Sequence, residues 1–188
     1  MTENQAFEIL KKYTTKPNLI KHAFCVSACM KHFAKLENKD QEFWAVAGML
    51  HDIDFEMYPE QHCYKCVELL KENGLDDKTI HAIQSHGWEI VTDNEWCTSV
   101  EPNCYMEKVL SAVDQLSGLI IAVALMKDRK LANVTLESIK NKWKNKNFAS
   151  GTDRDRIVRF CERMGKDFDY VATQTLIALQ GISNKLEL

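Results

Sequence analysis

Glycine and proline are scarce in this chain, and their scarcity limits the folds open to it more than any other feature. Seven glycines and three prolines stand among 188 residues, about 5% of the chain against an average near 12%. A β-rich fold of this size needs many turns built on these two residues, so the composition favours an all-α fold. Hydrophobic residues make up 45% and charged residues 27%, which excludes disordered and low-complexity classes.

Apolar residues recur with a helical period along most of the sequence. Capping residues and Pro–Gly brackets place the helix ends. The predicted helices cover residues 2–13, 17–36, 41–51, 59–73, 77–85, 106–127, 135–144, 152–164 and 168–179, with an irregular segment at 88–104. We expect one domain over 1–188, with a core at about 18–127 and a C-terminal helical extension at about 128–188. Gly118 is expected to allow close helix packing.

The sequence predicts a cytoplasmic protein with no membrane partner. Its longest apolar run, Leu119 to Met126, is shorter than the roughly 18–20 residues of a membrane span. The first residues are polar and lack the pattern of a signal peptide. Seven scattered cysteines fit a reducing compartment, and the pair Cys63 and Cys66 is interpreted as small buried side chains rather than a zinc site.

Charge is distributed unevenly. Residues 127–166, the basic segment, carry twelve Lys or Arg and five Asp or Glu, although the whole chain has a net charge of −3. This segment would suit an anionic substrate, and a solvated helical face is the simpler alternative. The negative net charge and the lack of a docking motif argue against a nucleic-acid binder. The candidate substrate-binding residues are Lys130, Lys142, Lys146 and Arg154.

Several ionisable residues lie where a helical protein rarely leaves them unpaired. His51 and Asp52 end a strongly apolar helix, and Asp114 lies inside the apolar stretch VLSAVDQLSGLIIAVAL. An unpaired carboxylate buried there would be costly, and a bound divalent metal would remove that cost. His22 adjoins the inward stripe of its own helix.

Two further histidines complete the set, His62 at the start of a predicted helix and His86 at the end of the next. Each of the four histidines alone is more often a hydrogen-bonded core residue than a ligand. We interpret the other two, His32 and His81, as ordinary surface or boundary histidines. Four histidines and two aspartates at helix ends or on inward faces favour a metal site. Histidine nitrogen with carboxylate oxygen suits Zn, Fe, Mn, Co or Ni.

The order of these residues resembles the HD-domain superfamily of metal-dependent phosphohydrolases. The family's His … His-Asp … Asp pattern matches His22, His51-Asp52 and Asp114, and His62 and His86 stand where two-metal members add histidines. The resemblance extends to a group of largely uncharacterised bacterial HD hydrolases. It covers roughly residues 5–182, through the segments LIKHAF, GMLHDIDFE, PEQH, AVDQLSGLIIAVAL and KNKNFASGTDRDRI.

The resemblance implies an HD-domain helical bundle, here with additional C-terminal helices, and one or two divalent transition-metal ions. Asp52 would bridge the ions, the first also held by His22, His51 and Asp114, the second by His62 and His86. A water activated by metal would attack a small phosphorylated substrate such as a nucleotide. Asp54 and Glu56 are candidates for orienting or deprotonating that water, with ordinary loop acids as the alternative interpretation.

Other interpretations stay open. The superfamily includes di-iron oxygenases with the same six ligands, and a non-catalytic nucleotide-binding protein would keep an inherited site. The doublet is followed by Ile53-Asp54 rather than by the common Ile-Gly, and no Gly-Tyr-Pro motif follows His86, which argues against the cyclic-di-GMP branch. The apolar helix at 106–126 would be buried in a monomer or shared in a homodimer.

Overall fold

The computed structural model describes residues 1–90 and 99–188, and all regular structure within them is helical. The predicted all-α fold is therefore confirmed. Part of the segment predicted to be irregular, with Trp96 and Cys97, lies outside the described residues. The α-helices are α1 (Glu3–Leu10), α2 (Pro17–Leu36), α3 (Gln41–Leu50), α4 (Cys66–Glu72), α5 (Asp77–Ser85), α6 (Tyr105–Leu125), α7 (Leu136–Trp143), α8 (Arg154–Arg163), α9 (Phe168–Gly181) and α10 (Ser183–Leu186).

Capping chemistry sets most helix starts. Thr2 forms a reciprocal capping box with Gln5 at the start of α1, and Pro17 occupies the first turn of α2. The carboxylate of Asp40 accepts hydrogen bonds from two backbone N–H groups of α3, and Asp76 caps α5 in the same way. These caps satisfy donors that a helix start otherwise leaves unpaired, so they fix the ends of the helices that carry the site.

A glycine lets α2 and α3 pack very closely. A Cβ atom placed on Gly48 would lie 2.8 Å from the Cα atom of Ser27 in α2, which no side chain could tolerate without a backbone shift. The Ser27 hydroxyl donates to the carbonyl oxygen of Ala45, which links the two helices at the same level. This close approach brings the last turn of α3 against the first half of α2.

Gly118 does not have the predicted role. A Cβ atom there would meet nothing within 4 Å, because the residue is exposed on α6 beside an open groove. The prediction for Gly118 is therefore wrong, and Gly48 is the glycine at which two helices approach closely.

The helix predicted at 59–73 is broken in two. A short 3₁₀ turn covers Pro59–Gln61, and α4 begins only at Cys66. Between them Cys63 has a left-handed backbone with φ of 64°, which a continuous α-helix does not allow. Gly74 ends α4 with φ of 77°, as the sequence predicts.

Helix α6 is the centre of the molecule and contacts α2, α5, α7, α8 and α9. By length and composition alone it could cross a membrane, but 61% of its most apolar window is buried against other helices. This burial is typical of the core helix of a soluble protein. Trp44 is also buried, while Trp88 and Trp143 pack against the core.

Candidate metal centre

The six predicted ligand residues converge on one place at the centre of the bundle. They come from α2, the end of α3, the turn before α4, the end of α5 and the middle of α6. Their polar atoms form two groups that share Asp52. The first donor set contains His22, His51, Asp114 and Asp52 Oδ2, and the second donor set contains His62, His86 and Asp52 Oδ1.

The first donor set is tight. His22 Nε2 lies 3.0 Å from Asp114 Oδ1 and 3.2 Å from His51 Nε2. His51 Nε2 lies 3.3 Å from Asp52 Oδ2 and 3.4 Å from Asp114 Oδ1, and His22 Nε2 is 3.7 Å from Asp52 Oδ2. His22, His51 and Asp114 could therefore hold one metal ion together, and Asp52 Oδ2 adjoins both histidines.

The second donor set is more open. Asp52 Oδ1 lies 3.5 Å from His62 Nε2 and 3.6 Å from His86 Nε2. The Sγ atom of Cys63 lies 3.6 Å from His86 Nε2, so a thiol adjoins the same histidines. His62, Cys63 and His86 are all buried and could together hold a metal ion.

The spacing within the first donor set fits a cation. Bonds of about 2.0–2.2 Å to nitrogen and oxygen place neighbouring ligand atoms about 3.0–3.5 Å apart. His51 Nδ1 lies 2.8 Å from the carbonyl oxygen of Gly48, which fixes the proton on Nδ1. In neutral His51 the Nε2 atom then presents a lone pair to two carboxylates. Such a cluster of electron pairs is stable only around protons or a metal ion.

Two of the histidines are oriented by the same kind of contact with the backbone. His51 follows α3 and His86 follows α5, and in each the Nδ1 atom contacts the carbonyl oxygen three residues earlier, Gly48 and Ile83 respectively. The last carbonyls of a helix lack partners within the helix, so a histidine at the C-cap can take one. Each Nε2 atom consequently points away from its helix end, toward Asp52.

Asp54 lies behind His62 rather than at the open side of the cluster. Its Oδ1 atom is 2.8 Å from His62 Nδ1, and its Oδ2 atom accepts a hydrogen bond of 2.7 Å from the backbone N–H of Cys66. The side chain is fully buried. This geometry differs from the one expected of a residue that deprotonates water, because both oxygens are engaged with protein groups.

Glu56 also departs from expectation. Its carboxylate accepts hydrogen bonds from the backbone N–H groups of Thr15 and Lys16 and from the Thr15 hydroxyl. These bonds hold the segment before α2, and they lower the pKa of Glu56. The residue therefore serves the α1–α2 connection and does not reach the cluster.

Burial and charge oppose each other inside the cluster. Burial alone would raise the pKa of Asp114, but its hydrogen bonds to His22 and His51 outweigh burial and lower that pKa. Burial alone would likewise lower the pKa of His51, but the carboxylates of Asp52 and Asp114 raise it well above the ordinary value. The pKa of His62 is raised against burial by Asp54 and Asp52. The carboxylates therefore stay ionised and favour positive charge between them.

The four candidate substrate-binding cations lie elsewhere. The Arg154 guanidinium donates to the carbonyl oxygens of Trp143, Asn145, Phe148 and Thr152. Lys142 lies over the Phe148 ring, and Lys130 and Lys146 are exposed. Among the described residues, none of the four makes a hydrogen bond or ion pair with the six-residue cluster. At the N-terminus of α8 the carboxylate of Asp153 already accepts a hydrogen bond from the backbone N–H of Arg156.

A different arginine of the basic segment does reach the site. Arg156 is buried, and its guanidinium donates to the carbonyl oxygen of His86 at 2.6 Å and to that of Trp88. Its position on the apolar stripe of α8, beside Ile157 and Phe160, is the sequence signal that could have singled it out. The contact of the Cys63 thiol with His86 could not be predicted, because it depends on the break before α4, which the sequence does not reveal.

His32 and His81 stand apart, as expected. His32 Nε2 contacts Gln174, and His81 Nδ1 contacts the buried Glu107. Comparisons with models of protein families, with curated proteins and with solved structures find no match for this chain.

Proposed function

We propose that this protein is a metal-dependent phosphohydrolase that acts on a small phosphorylated substrate with one or two divalent transition-metal ions. The observation that carries the proposal is the first donor set, in which His22, His51 and Asp114 could together hold a metal ion. Asp52 Oδ2 adjoins both histidines, at 3.3 Å from His51 Nε2 and 3.7 Å from His22 Nε2. Nitrogen and oxygen donors in this combination suit Zn, Fe, Mn, Co or Ni.

The order of the donors along the chain supports the same proposal. His22, the doublet His51-Asp52, the pair His62 and His86, and finally Asp114 follow the order of the HD superfamily, which this chain resembles. The cluster is reached from one side, where the side chains of His22, Asp52 and Asp114 are 24%, 20% and 16% exposed. A substrate would approach there, because His51 and His86 are closed off.

Bound divalent ions supply a water of lowered pKa as nucleophile and neutralise charge on the phosphoryl oxygens. The protein's part is to hold that chemistry in place. Asp52 directs one carboxylate oxygen to each donor set, so it ties the two halves of the site together. In the reaction water adds to phosphorus, the ester P–O bond breaks, and a proton passes to the leaving alcohol.

Protein groups behind the ligands keep them oriented. The carbonyl oxygens of Gly48 and Ile83 fix the Nδ1 side of His51 and His86, and the Asp54 carboxylate fixes that of His62. Such supporting contacts set the tautomer and raise the basicity of a ligating histidine. We assign Asp54 this positioning role in place of a direct role on water. We also propose a cytoplasmic location, which fits a helical enzyme whose most apolar helix is mostly buried.

The first test is the metal content of protein purified without chelators, measured by elemental analysis. We expect one or two ions per chain in the wild type and at least one fewer in His51→Ala. His81→Ala is the matched control, because His81 contacts Glu107 outside the cluster and its loss should leave the metal content unchanged. Absence of metal after loading with each of the five candidate ions would overturn the proposal.

The second test is a panel of phosphomonoesters and phosphodiesters supplied to the metal-loaded protein, with release of phosphate or alcohol as the readout. We expect hydrolysis by the wild type and by His81→Ala but not by His51→Ala. Iron as the bound metal together with oxygen uptake in place of hydrolysis would contradict the proposal and favour a di-iron oxygenase.

A further inference from the structure

A groove between α2 and α6 opens directly beside the metal centre. It has a volume of about 300 Å³, and His22 is one of its walls. His22 also contacts Asp114, and Gly118 lies one helical turn beyond Asp114 on the same face of α6. His22 is therefore shared by the groove and the first donor set.

The walls of the groove are mainly apolar. Ile121 and Leu125 continue the α6 side, and Leu186 and Leu188 close it from the end of the chain. Leu125 is 46% exposed, so apolar surface of the groove is open to solvent. At about 30 Å³ for each water-sized group, the space holds about ten such groups.

The polar side chains of the groove include two cations and one ion pair. Lys21 and Arg129 line the groove, and Lys21 forms an ion pair of 2.6 Å with Glu187. The attraction for an anion therefore comes from the adjoining centre, which is suited to metal ions. An apolar channel leading away from an anion site is the shape of an amphipathic binding site.

We propose that this groove holds the alcohol part of a phosphate monoester, and that this alcohol is a hydrocarbon or aromatic group. The inference rests on the proposed function, since the phosphoryl group would lie at the metal centre. Hydrolysis then transfers the phosphoryl group to water and releases the apolar alcohol from the groove.

A substitution at Gly118 can fill the groove with a side chain. A Cβ atom there meets nothing within 4 Å, so the side chain of Gly118→Leu should extend into the apolar space without disturbing the packing of α6. Gly181 at the end of α9 is the matched control, because it is also exposed, helical and without neighbours around an added Cβ atom. Both changes replace a helical glycine with leucine, so their intrinsic effects on helix stability should be similar.

The experiment compares the binding of methylphosphonate and octylphosphonate to manganese-loaded protein by calorimetry. Each methylene buried in an apolar site strengthens binding about fourfold, so three buried methylenes give octylphosphonate an advantage of about sixtyfold. We expect this advantage in the wild type and in Gly181→Leu. In Gly118→Leu it should fall below about threefold, with methylphosphonate affinity and metal content unchanged.

The other outcomes separate the two proposals. Equal, metal-dependent affinities for the two phosphonates would overturn the assignment of the groove and leave the proposed function standing. Octylphosphonate binding that needs no metal, with no binding of methylphosphonate, would overturn both. A wild-type dimer that Gly118→Leu dissociates, with no preference between the phosphonates, would show that a second copy fills the groove and would also overturn the inference.

Discussion

The six-residue cluster and the basic segment both concentrate ionisable side chains, but their polar atoms face different partners. In the cluster, donors from five separate parts of the chain face one another at the centre of the bundle. In the basic segment, Lys130 and Lys146 face solvent, and Arg154 binds backbone carbonyls of the adjoining loop. Both regions are rich in ionisable side chains, but only in the cluster do these side chains converge on one another.

The two regions differ in the free energy that burial costs their charged side chains. A charged side chain at the surface is solvated whether or not it has a function, so its presence carries little information. A carboxylate inside an apolar helix must be compensated, and the compensating groups have to come from other helices. Asp114 in the middle of α6 therefore required partners, whereas Lys146 required none.

The largest expected effect comes from the residue that joins the two donor sets. Asp52→Asn replaces a charged oxygen with an amide and removes the negative charge that both sets share. We expect loss of at least one bound ion and a fall in kcat/KM of about a thousandfold or more, equivalent to about 4 kcal/mol of transition-state stabilisation. Elemental analysis and steady-state hydrolysis of the best phosphoester measure the two effects.

Asp40→Asn is the matched control for this change. Asp40 caps α3, the same helix that leads to Asp52, and asparagine is an equally good N-cap. Metal content and kcat/KM should stay at wild-type values. If Asp52→Asn retained its metal and its activity, the bridging position assigned to Asp52 would be wrong.

A smaller effect on metal binding is expected from a change at Asp54, which contacts the ligand residue His62. Asp54→Asn can still accept a hydrogen bond from the Cys66 N–H through its amide oxygen, but the amide nitrogen cannot accept from His62 Nδ1. Loss of a supporting carboxylate of this kind typically weakens metal binding by about 10–100-fold. We expect that loss for one ion only, measured by titration with the metal, and a smaller fall in kcat at saturating metal.

Glu56→Gln is the matched control for Asp54→Asn, because it also replaces one carboxylate with an amide in the same part of the chain. Glu56 lies two residues further along the chain but contacts Thr15 and Lys16, so its substitution should leave both metal affinities unchanged. An equal effect of the two substitutions would contradict the positioning role of Asp54. A loss of kcat in Asp54→Asn that saturating metal does not reduce would instead favour direct action on water.

Much of this architecture could be predicted from the sequence. Helix-breaking residues are few and caps are strong, so the limits of α2 and α5 agree with expectation to within a residue. The six cluster residues were also identifiable, because each histidine or aspartate stood at a helix end or on an inward face. Local sequence rules act over a few residues, and these features lie within that range.

Features that depend on tertiary contacts could not be predicted. The break before α4 arises where Asp54 binds both His62 and the Cys66 N–H, which no periodicity in 59–73 reveals. The close approach at Gly48 depends on which face of α2 it meets. The choice among arginines was wrong for a different reason: the apolar stripe of α8 indicates that Arg156 is buried, but its partners, the carbonyl oxygens of His86 and Trp88, appear only in the structure.

The smallest expected effects come from substitutions of Arg156 and Arg154, which compare the site with the basic segment. Arg156→Met leaves the carbonyl oxygens of His86 and Trp88 without their buried donor, and an unsatisfied buried group costs about 1–3 kcal/mol. We expect a lower free energy of unfolding in urea and weaker metal binding, because the His86 end of α5 loses its support.

Arg154→Met removes more hydrogen bonds but should have the smaller effect. The Arg154 side chain is half-buried, so water can replace its guanidinium at the carbonyls of the loop before α8. We expect a loss of about 1 kcal/mol in unfolding free energy, within the usual net value of such bonds, and unchanged metal affinity and kcat/KM. A rise in KM for the phosphoester in Arg154→Met, with stability unchanged, would restore Arg154 as a substrate-binding residue. It would also show that the basic segment reaches the site, and the contrast between the two regions would then no longer hold.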